Sequence, residues 1–570
     1  MKKRIKLSFY TKNHITAALF FVVSLGFLFR IFQVDWDSGY YFHPDERAII
    51  MSVTSFSLPN SVAEFYSDES PLRPDFFAYG SFPLYLLYFV SSFLGHINPL
   101  LSEYGGIFWV GRVMSAFFDS LTILLVYFIG REIFSKKAGL IASFFYSVSV
   151  LPIQLSHFFA VDTLLTFFLT GTFLFLLLYH KEREMKFLLL FSLFFGFAIA
   201  TKVSALIILP VIMLVLLTIQ MKKGRINVPN LKEVILDVVV FSLISFACFI
   251  LLQPYAVISW DKFLNEIALQ SRMSNDPFIF PYTLQYVGKV PYLYEMKNIF
   301  LWGQGPLLAI FSFFGFVYIT YLLLTKKIKK NVSLVLFTLL FFIIYFAAFG
   351  RFAVGWMRYM LPIYPLLAVF AGFFVVCFFL PLLKQKGKFS KLKKHVIYIL
   401  FFILFLIYPI SFLSIYTKPN TRVEATDWIL KNIEPGSFIA QEHWDDGVPI
   451  VNAEFYNLIS LPLYEPDTQA KWRDIETKLE TSDYIVIASN RLYVPLQKLT
   501  DCESLPEERC YTITAKYYQD LFSGKLGFTK VAEFSRYPTI PILELRLNDA
   551  RADESFTVFD HPKVMIFKKN

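Results

Sequence analysis

A chain of 570 residues has the length of three or four soluble domains, but its composition excludes that organisation. Apolar residues make up 56% and charged residues 17%, and phenylalanine alone fills 67 positions, whereas soluble chains carry about 25% charge. The net charge of +10 raises nucleic acid as a partner until the basic residues are located. Four cysteines in this length exclude a disulfide scaffold and a Cys-rich metal or iron–sulfur site.

In chain order, apolar stretches near the ~20 residues that cross a bilayer recur along the first three-quarters of the sequence. They predict spans at about 14–33, 107–130, 138–155, 161–179, 187–200, 203–219, 234–252, 306–325, 332–350, 359–382 and 395–415. The first of these reads as a signal-anchor. The stretch 82–94 is short for a span and reads as an interfacial or re-entrant helix. The fold expected is an α-helical polytopic membrane protein of about eleven transmembrane helices with a small α/β domain at its C-terminal end.

Charge placement orients this plan. Six short basic segments hold nearly half of the 54 basic residues. They are Lys2 to Lys12, Arg131 to Lys137, Lys181 to Lys186, Lys222 to Lys232, Lys326 to Lys330 and Lys384 to Lys394. With eleven spans and 82–94 not crossing, all six fall on one side, which the positive-inside rule makes cytoplasmic. The basic balance then reports membrane orientation, and nucleic acid drops out as a partner. The outer side receives a first loop at 35–106, a second at 253–305, and the tail 417–570.

The tail has the composition of a soluble domain. Its patterning predicts helices at 423–432 and 471–479 and strands at 437–441, 484–488 and 564–567. Cys502 and Cys510 lie eight apart in a charged loop of this outer compartment, where a disulfide is permitted. Cys248 and Cys377 fall within spans and read as packing residues. The domains expected are therefore 1–416, embedded in the membrane, and 417–570, outside it.

Polar residues at membrane depth carry the chemistry. The first outer loop contains Asp35-Trp36-Asp37 and then His43-Pro44-Asp45-Glu46-Arg47. Adjacent carboxylates repel, so one is expected to hold its proton more tightly and to suit a general base. Pro44 restricts the residue before it and favours an aimed site. Arg112, Ser115 and Asp119 share a helix face, with Asp119 about 10 Å deeper than Arg112. An ionisable group at that depth is expected to be functional or paired with another helix, and an arginine near the surface suits a phosphate. His157, Asp162, Lys202, Arg351 and Arg358 all fall at the outer ends of spans, where cations and carboxylates converge on the position of a membrane-embedded phosphate. In the second outer loop, Trp260, Arg272, Asp276, Tyr282, Tyr286 and Trp302 suit sugar stacking or interfacial anchoring. The sequence has no phosphate-binding glycine loop and no HExxH, so the use of a cytosolic nucleotide is unsupported.

Across residues 1–420 the sequence resembles the GT-C class of integral-membrane glycosyltransferases, especially its protein O-mannosyltransferase-like and aminoarabinose-transferase-like branch. The matching features are Asp45-Glu46 after the first span, Tyr79-Gly80-Ser81-Phe82-Pro83, Gly111-Arg112, Gly130-Arg131, His157 to Asp162, Ala200-Thr201-Lys202, and Met357-Arg358-Tyr359 to Pro365. In the tail, Glu442 to Gly447 and Asp560-His561-Pro562 look like segments of prokaryotic members. The resemblance implies inverting transfer of a sugar from a polyprenyl-phosphate donor to a hydroxyl acceptor of protein, glycan or lipid. It implies Asp45 as general base, Glu46 as its positioning partner and Asp162 as a second acidic residue. It assigns the lipid phosphate to Arg112, Lys202 and Arg358, with Tyr359, His157 and Arg272 as further substrate contacts. Some relatives bind a divalent metal, so His43, His157, Asp45 and Asp162 are candidate ligands. The competing reading is a transporter or flippase of a lipid-linked sugar, which would share the cationic cavity. Repeat symmetry, a common mark of transporters, is absent from this sequence.

Overall fold

The computed structural model describes residues 2–74, 76–219, 228–383, 391–450 and 453–570. The basic residues Lys222, Lys223, Arg225, Lys384, Lys386 and Lys388 lie outside the described residues. Among the described residues, eight helices are long and apolar enough to cross a membrane, and the chain is a multi-pass membrane protein. The remaining three expected spans are shorter helices. Met185–Thr201 and Val203–Ile219 fall below span length. The stretch 138–155 breaks into Lys136–Ser147 and Val150–Leu155. Ser81–Gly95 is the expected short apolar helix between the first two spans.

Helices approach closely where side chains are small, the usual basis of packing without a hydrophobic drive between helices. A Cβ on Gly139 would lie 2.3 Å from the Tyr127 carbonyl oxygen, so only glycine lets Lys136–Ser147 rest on Ile107–Ile133.

The break in 138–155 has a polar consequence. Pro152 cannot donate to the preceding turn, and the serines on either side turn back on the backbone: Ser147 donates to the Phe144 carbonyl and Ser149 to that of Phe145. At this break the carbonyls of Ser147 and Tyr146 accept from the Arg30 guanidinium of the first span at 3.1 and 3.4 Å. Arg30 also donates to Asp119 at 2.5 Å, and the Tyr146 hydroxyl donates to the other Asp119 oxygen at 2.5 Å. Arg30 and Asp119 are both fully buried. Asp119 therefore joins three helices, the structural alternative that its depth allowed.

The tail carries a five-stranded sheet of order β2-β1-β3-β7-β4. Its strands are β1 (Phe438–Glu442), β2 (Asn457–Leu461), β3 (Tyr484–Ile487), β4 (Phe528–Phe534) and β7 (Val564–Lys569). Strands β2, β1 and β3 run parallel, and β7 is antiparallel to both β3 and β4. Thr421–Asn432 and Gln469–Thr481 are the expected helices. A separate hairpin of β5 (Thr539–Ile540) and β6 (Leu545–Arg546) stands beside the end of the last span, where the Thr539 N–H donates to Ser414 Oγ at 3.0 Å. Cys502 and Cys510 form a disulfide with a Cα separation of 5.3 Å.

Breaking a buried ion pair from one side costs about 3–5 kcal/mol, whereas replacing both partners by apolar groups is often neutral. Arg30→Leu is therefore expected to lower the thermal midpoint of the detergent-solubilised protein strongly. Arg30→Leu with Asp119→Leu should recover most of the loss, and equal loss in the single and double variants would show that the pair does not join the helices.

Candidate active site

The site begins with the turn after the first span. His43 caps the helix Pro44–Thr54: its Nδ1 accepts from the Glu46 N–H, and Pro44 occupies the first helical position. Burial pushes the His43 imidazole down to about 4, so it stays neutral and can accept. Its ring lies 4.5 Å from Phe158 and 4.4 Å from Phe559, centroid to centroid. Asp45 and Glu46 then fall in the first turn, where the helix dipole favours acids. As consecutive helical residues they point in different directions.

Glu46 turns to Arg112. Arg112 Nε donates to Glu46 Oε1 at 2.9 Å and Nη2 donates to Oε2 at 2.7 Å. The other donors reach Asp37 Oδ1 at 2.9 Å, Asp37 Oδ2 at 2.7 Å and the Val34 carbonyl at 2.7 Å. All five N–H groups of this buried guanidinium are thereby used. The role expected of Arg112, to hold a lipid phosphate, is corrected: no donor remains for one. Glu46 also accepts from the Phe159 N–H at 2.9 Å, so it fastens the loop and is closed to substrate.

Asp45 turns the other way and pairs with Arg358. Arg358 Nε lies 4.0 Å from Asp162, and Lys202 Nζ lies 3.1 Å from the second Asp162 oxygen. Four charges of alternating sign thus run Asp45–Arg358–Asp162–Lys202. Burial pushes the Asp45 carboxyl up, but Arg358, His43, the Tyr79 hydroxyl and Lys202 outweigh it and hold the carboxyl below the usual aspartate value. Glu46 is the carboxyl of the pair that holds its proton more tightly, as expected, but the cause is burial together with Asp37, against the pull of Arg112, and not repulsion from Asp45.

Two cavities meet at this chain. One, of about 480 Å³, is lined by Asp45, Arg47, Tyr79, Tyr282, Trp356 and Arg358, and on the tail side by Trp444, Asp446, Arg491 and Glu554. The other, of about 350 Å³ and mostly apolar, is lined by Lys202, Leu206, Ile207, Phe349, Phe352, Arg358 and Tyr359. Ala78, Tyr79, Gln270 and Arg358 belong to both walls. Tyr79 is placed there by Gly80, whose N–H donates to the Thr201 carbonyl at 2.9 Å. A Cβ on Gly80 would sit 1.8 Å from the Ala200 oxygen, so any other residue would push Tyr79 away.

Two expected substrate contacts stand apart from both cavities. His157 has Nδ1 and Nε2 each 2.8 Å from a backbone carbonyl, those of Ile153 and Phe32, and its ring stacks on Tyr416. Arg272 is exposed on the helix Trp260–Asn275, while its neighbours Gln270, Met273 and Ser274 line the cavities. Among the described residues no three His, Cys, Asp or Glu side chains group as metal ligands. His157 has both ring nitrogens on backbone carbonyls and His43 has its Nδ1 on the Glu46 N–H, and no step below is routed through a metal.

The tail residues of the polar cavity went unassigned at the level of sequence, although Trp444 to Asp446 lie in a segment singled out there. Asp446 accepts from Arg47 at 2.9 Å, joining the tail to the helix that carries Asp45. Asp445 accepts from Ser489 at 2.6 Å and from Arg422 at 3.3 Å, and Arg491 donates to Glu554 at 2.7 Å. Nothing near Arg491 or Glu554 in the sequence marks them as site residues.

Residues 100–251 match the family model described as dolichyl-phosphate-mannose-protein mannosyltransferase. No curated protein matches the chain in sequence. Among solved structures, the chain is similar to the archaeal oligosaccharyltransferase AglB from Archaeoglobus fulgidus, in complex with an inhibitory peptide and a dolichol-phosphate. The TM-score is 0.53 at 16% identity, covering 98% of this chain and 89% of that one. ArnT from Cupriavidus metallidurans, bound to undecaprenyl phosphate, aligns with a TM-score of 0.47 at 13% identity over 85% of this chain and 95% of that one. The chain shares its fold with the archaeal oligosaccharyltransferase.

Arg112→Lys keeps one charge but loses the fork of five donors. It is expected to lower the thermal midpoint and, with the polyprenyl-phosphate donor that the sequence leads one to expect, to leave KM within about twofold, because Arg112 lines neither cavity. A large rise in KM with normal stability would restore the phosphate role to Arg112.

Proposed function

We propose that this protein is an inverting glycosyltransferase that moves a sugar from a polyprenyl-phosphate donor to a hydroxyl acceptor on the extracytoplasmic face of the membrane. The observation that carries the reading is the pairing of Asp45, which lines the polar cavity, with Arg358, a cation shared by the walls of the polar and the apolar cavity. The apolar cavity suits the prenyl chain, with Lys202 and Arg358 at its polar end for the phosphate. The polar cavity then receives the sugar and the acceptor, between the membrane part (1–416) and an extracytoplasmic tail (417–570). The matched family model and the dolichol-phosphate bound by the archaeal protein of the same fold support a lipid-phosphate donor. The peptide in that archaeal structure makes a polypeptide acceptor one option beside a glycan or lipid. No observation favours the flippase reading, which gives a base between two cavities nothing to do.

The chemistry follows from charge. Arg358 Nε is buried without a hydrogen-bond partner and is therefore a donor held ready for a phosphate oxygen. When the donor phosphate draws Arg358, Asp45 loses its principal counter-charge and becomes a stronger base. The acceptor hydroxyl passes its proton to Asp45 as its oxygen attacks the anomeric carbon. The bond from that carbon to the phosphate oxygen breaks on the opposite side, and polyprenyl phosphate leaves with the electron pair. Lys202 and Arg358 meet the charge that develops there, so the leaving group needs no proton. Asp162 holds these two cations in place.

Asp45→Asn keeps the volume and removes the proton acceptor. Transfer from a polyprenyl-phosphate sugar is expected to fall about 10²–10⁴-fold with donor binding retained, and wild-type transfer by the purified variant would exclude Asp45 as base. Arg358→Gln tests the priming step through pH. The wild-type Asp45 carboxyl is depressed, so it stays ionised, and active, down through the ordinary carboxylate range. Without Arg358, burial is left to raise it, so the acid limb of kcat/KM should move to higher pH while donor KM rises. An unmoved acid limb would show that Arg358 does not set the basicity of Asp45.

A further inference from the structure

The polar cavity has one wall from the membrane part and one from the tail, and the chemistry at Asp45 and Arg358 makes no use of the tail wall. The most exposed ring on the cavity is Trp444, in the turn that follows β1, at 43% exposure. Its backbone is left-handed, with φ +74°, a conformation that strains a bulky side chain. Burial does not account for that strain. Trp356, on the membrane wall, is 9% exposed and closed in by the edges of Tyr286 and Tyr359. Among the described residues, Trp444 meets only the rings of Tyr282, at 6.5 Å, and His443, at 5.6 Å. It is an indole held open at the wall of a ligand-sized cavity.

The charges around it are paired. Arg47 meets Asp446, Arg491 meets Glu554, Arg422 meets Asp445 and Arg358 meets Asp45, so every charged side chain on the cavity wall has a counter-charge. A strongly charged acceptor would have to break one of these pairs, and a neutral one would not. A guanidinium beside a carboxylate presents N–H donors next to oxygen acceptors, which suits neighbouring hydroxyls that each give and take a hydrogen bond. The C–H face of a sugar ring is apolar and flat enough to lie on an indole. A peptide taken up as an added strand needs a strand edge, and among the described residues that line this cavity none lies in a strand. Arg47 is on the helix of Asp45, so its bond to Asp446 brings the tail wall to the base.

We propose that the acceptor is a neutral saccharide and that Trp444 is the platform on which its terminal sugar stacks, with the Arg47–Asp446 and Arg491–Glu554 pairs reading its hydroxyls. The inference rests on the reading of Asp45 as base for a polyprenyl-phosphate donor, and it narrows the acceptor to a sugar hydroxyl. The end of a free glycan and the headgroup of a glycolipid offer this same chemistry.

The test uses the full-length protein in phospholipid nanodiscs with undecaprenyl phosphate. Saturation-transfer NMR is recorded with neutral trisaccharides of mannose, glucose, galactose and N-acetylglucosamine, each free and as its octyl glycoside, and with a hexapeptide containing serine and threonine. The wild type should saturate the terminal ring of at least one trisaccharide. Binding of the free form assigns a glycan end, and binding of the octyl form alone assigns a glycolipid. Trp444→Gly should weaken this binding about tenfold or more. Glycine adopts a positive φ freely, so the thermal midpoint should not fall. Trp444→Tyr keeps a ring and should retain most of the binding. Equal binding by wild type and Trp444→Gly would overturn the proposal, as would a peptide bound in place of saccharides, or neither bound. A lowered midpoint in Trp444→Gly would assign the indole to packing and overturn its role as platform. Native mass spectrometry of the same samples separates the two failures. Undecaprenyl phosphate retained without saccharide overturns the acceptor alone, whereas its absence from the wild type overturns the donor reading beneath it.

Discussion

A guanidinium with no solvent exposure is tolerable only when its N–H groups are met, and Arg112 meets all five of its own on Glu46, Asp37 and Val34. This pairing fixes more than the arginine. Glu46 follows Asp45 in the same helical turn, so clamping one carboxylate aims the other. His43 and Pro44 set where that turn begins, and Phe159 donates to Glu46 from the segment that leads into Asp162. The direction of Asp45 toward Arg358, and the chain of charges on to Lys202, depend on a clamp that touches neither cavity.

The tail is held to the membrane part by the same kind of interaction. Asp560 accepts from Gln154 at 2.9 Å and from the Tyr416 hydroxyl at 2.8 Å, while its other oxygen meets His561. Burial alone would lower the His561 imidazole, but Asp560 and Asp549 outweigh it and hold it up at about 10, so it remains a cation at neutral pH. With Asp446 on Arg47 as a second tie, the sheet is placed where its loops form one wall of the polar cavity. The tail thereby helps to enclose the polar cavity, and burial from water strengthens every charge pair inside.

Depth was legible in the sequence; partnership was not. Runs of apolar residues marked the spans, and the depth of Asp119, Arg112 and Asp162 marked them as consequential. Spacing along one helix says nothing about which other helix faces it, so Arg30 was missed as the partner of Asp119 and Arg112 was assigned to a phosphate. The break at 148–149 was hidden because an apolar run reads the same whether it is one helix or two. In the tail, the central strands β1, β3 and β7 were visible as buried runs. The edge strands β2 and β4, mostly exposed, carry too little apolar pattern to stand out. The cavity residues Arg491 and Glu554 come from distant segments and meet only after folding.

The central claim is that the donor phosphate takes Arg358 from Asp45 and so makes Asp45 the base. A structure of this protein with bound polyprenyl phosphate measures this directly. The account predicts phosphate oxygens within hydrogen-bond distance of Lys202 and Arg358, the prenyl chain along Ile207 and Phe352, and the Asp45–Arg358 pair opened. Phosphate bound elsewhere, with Asp45 and Arg358 still paired, would contradict it.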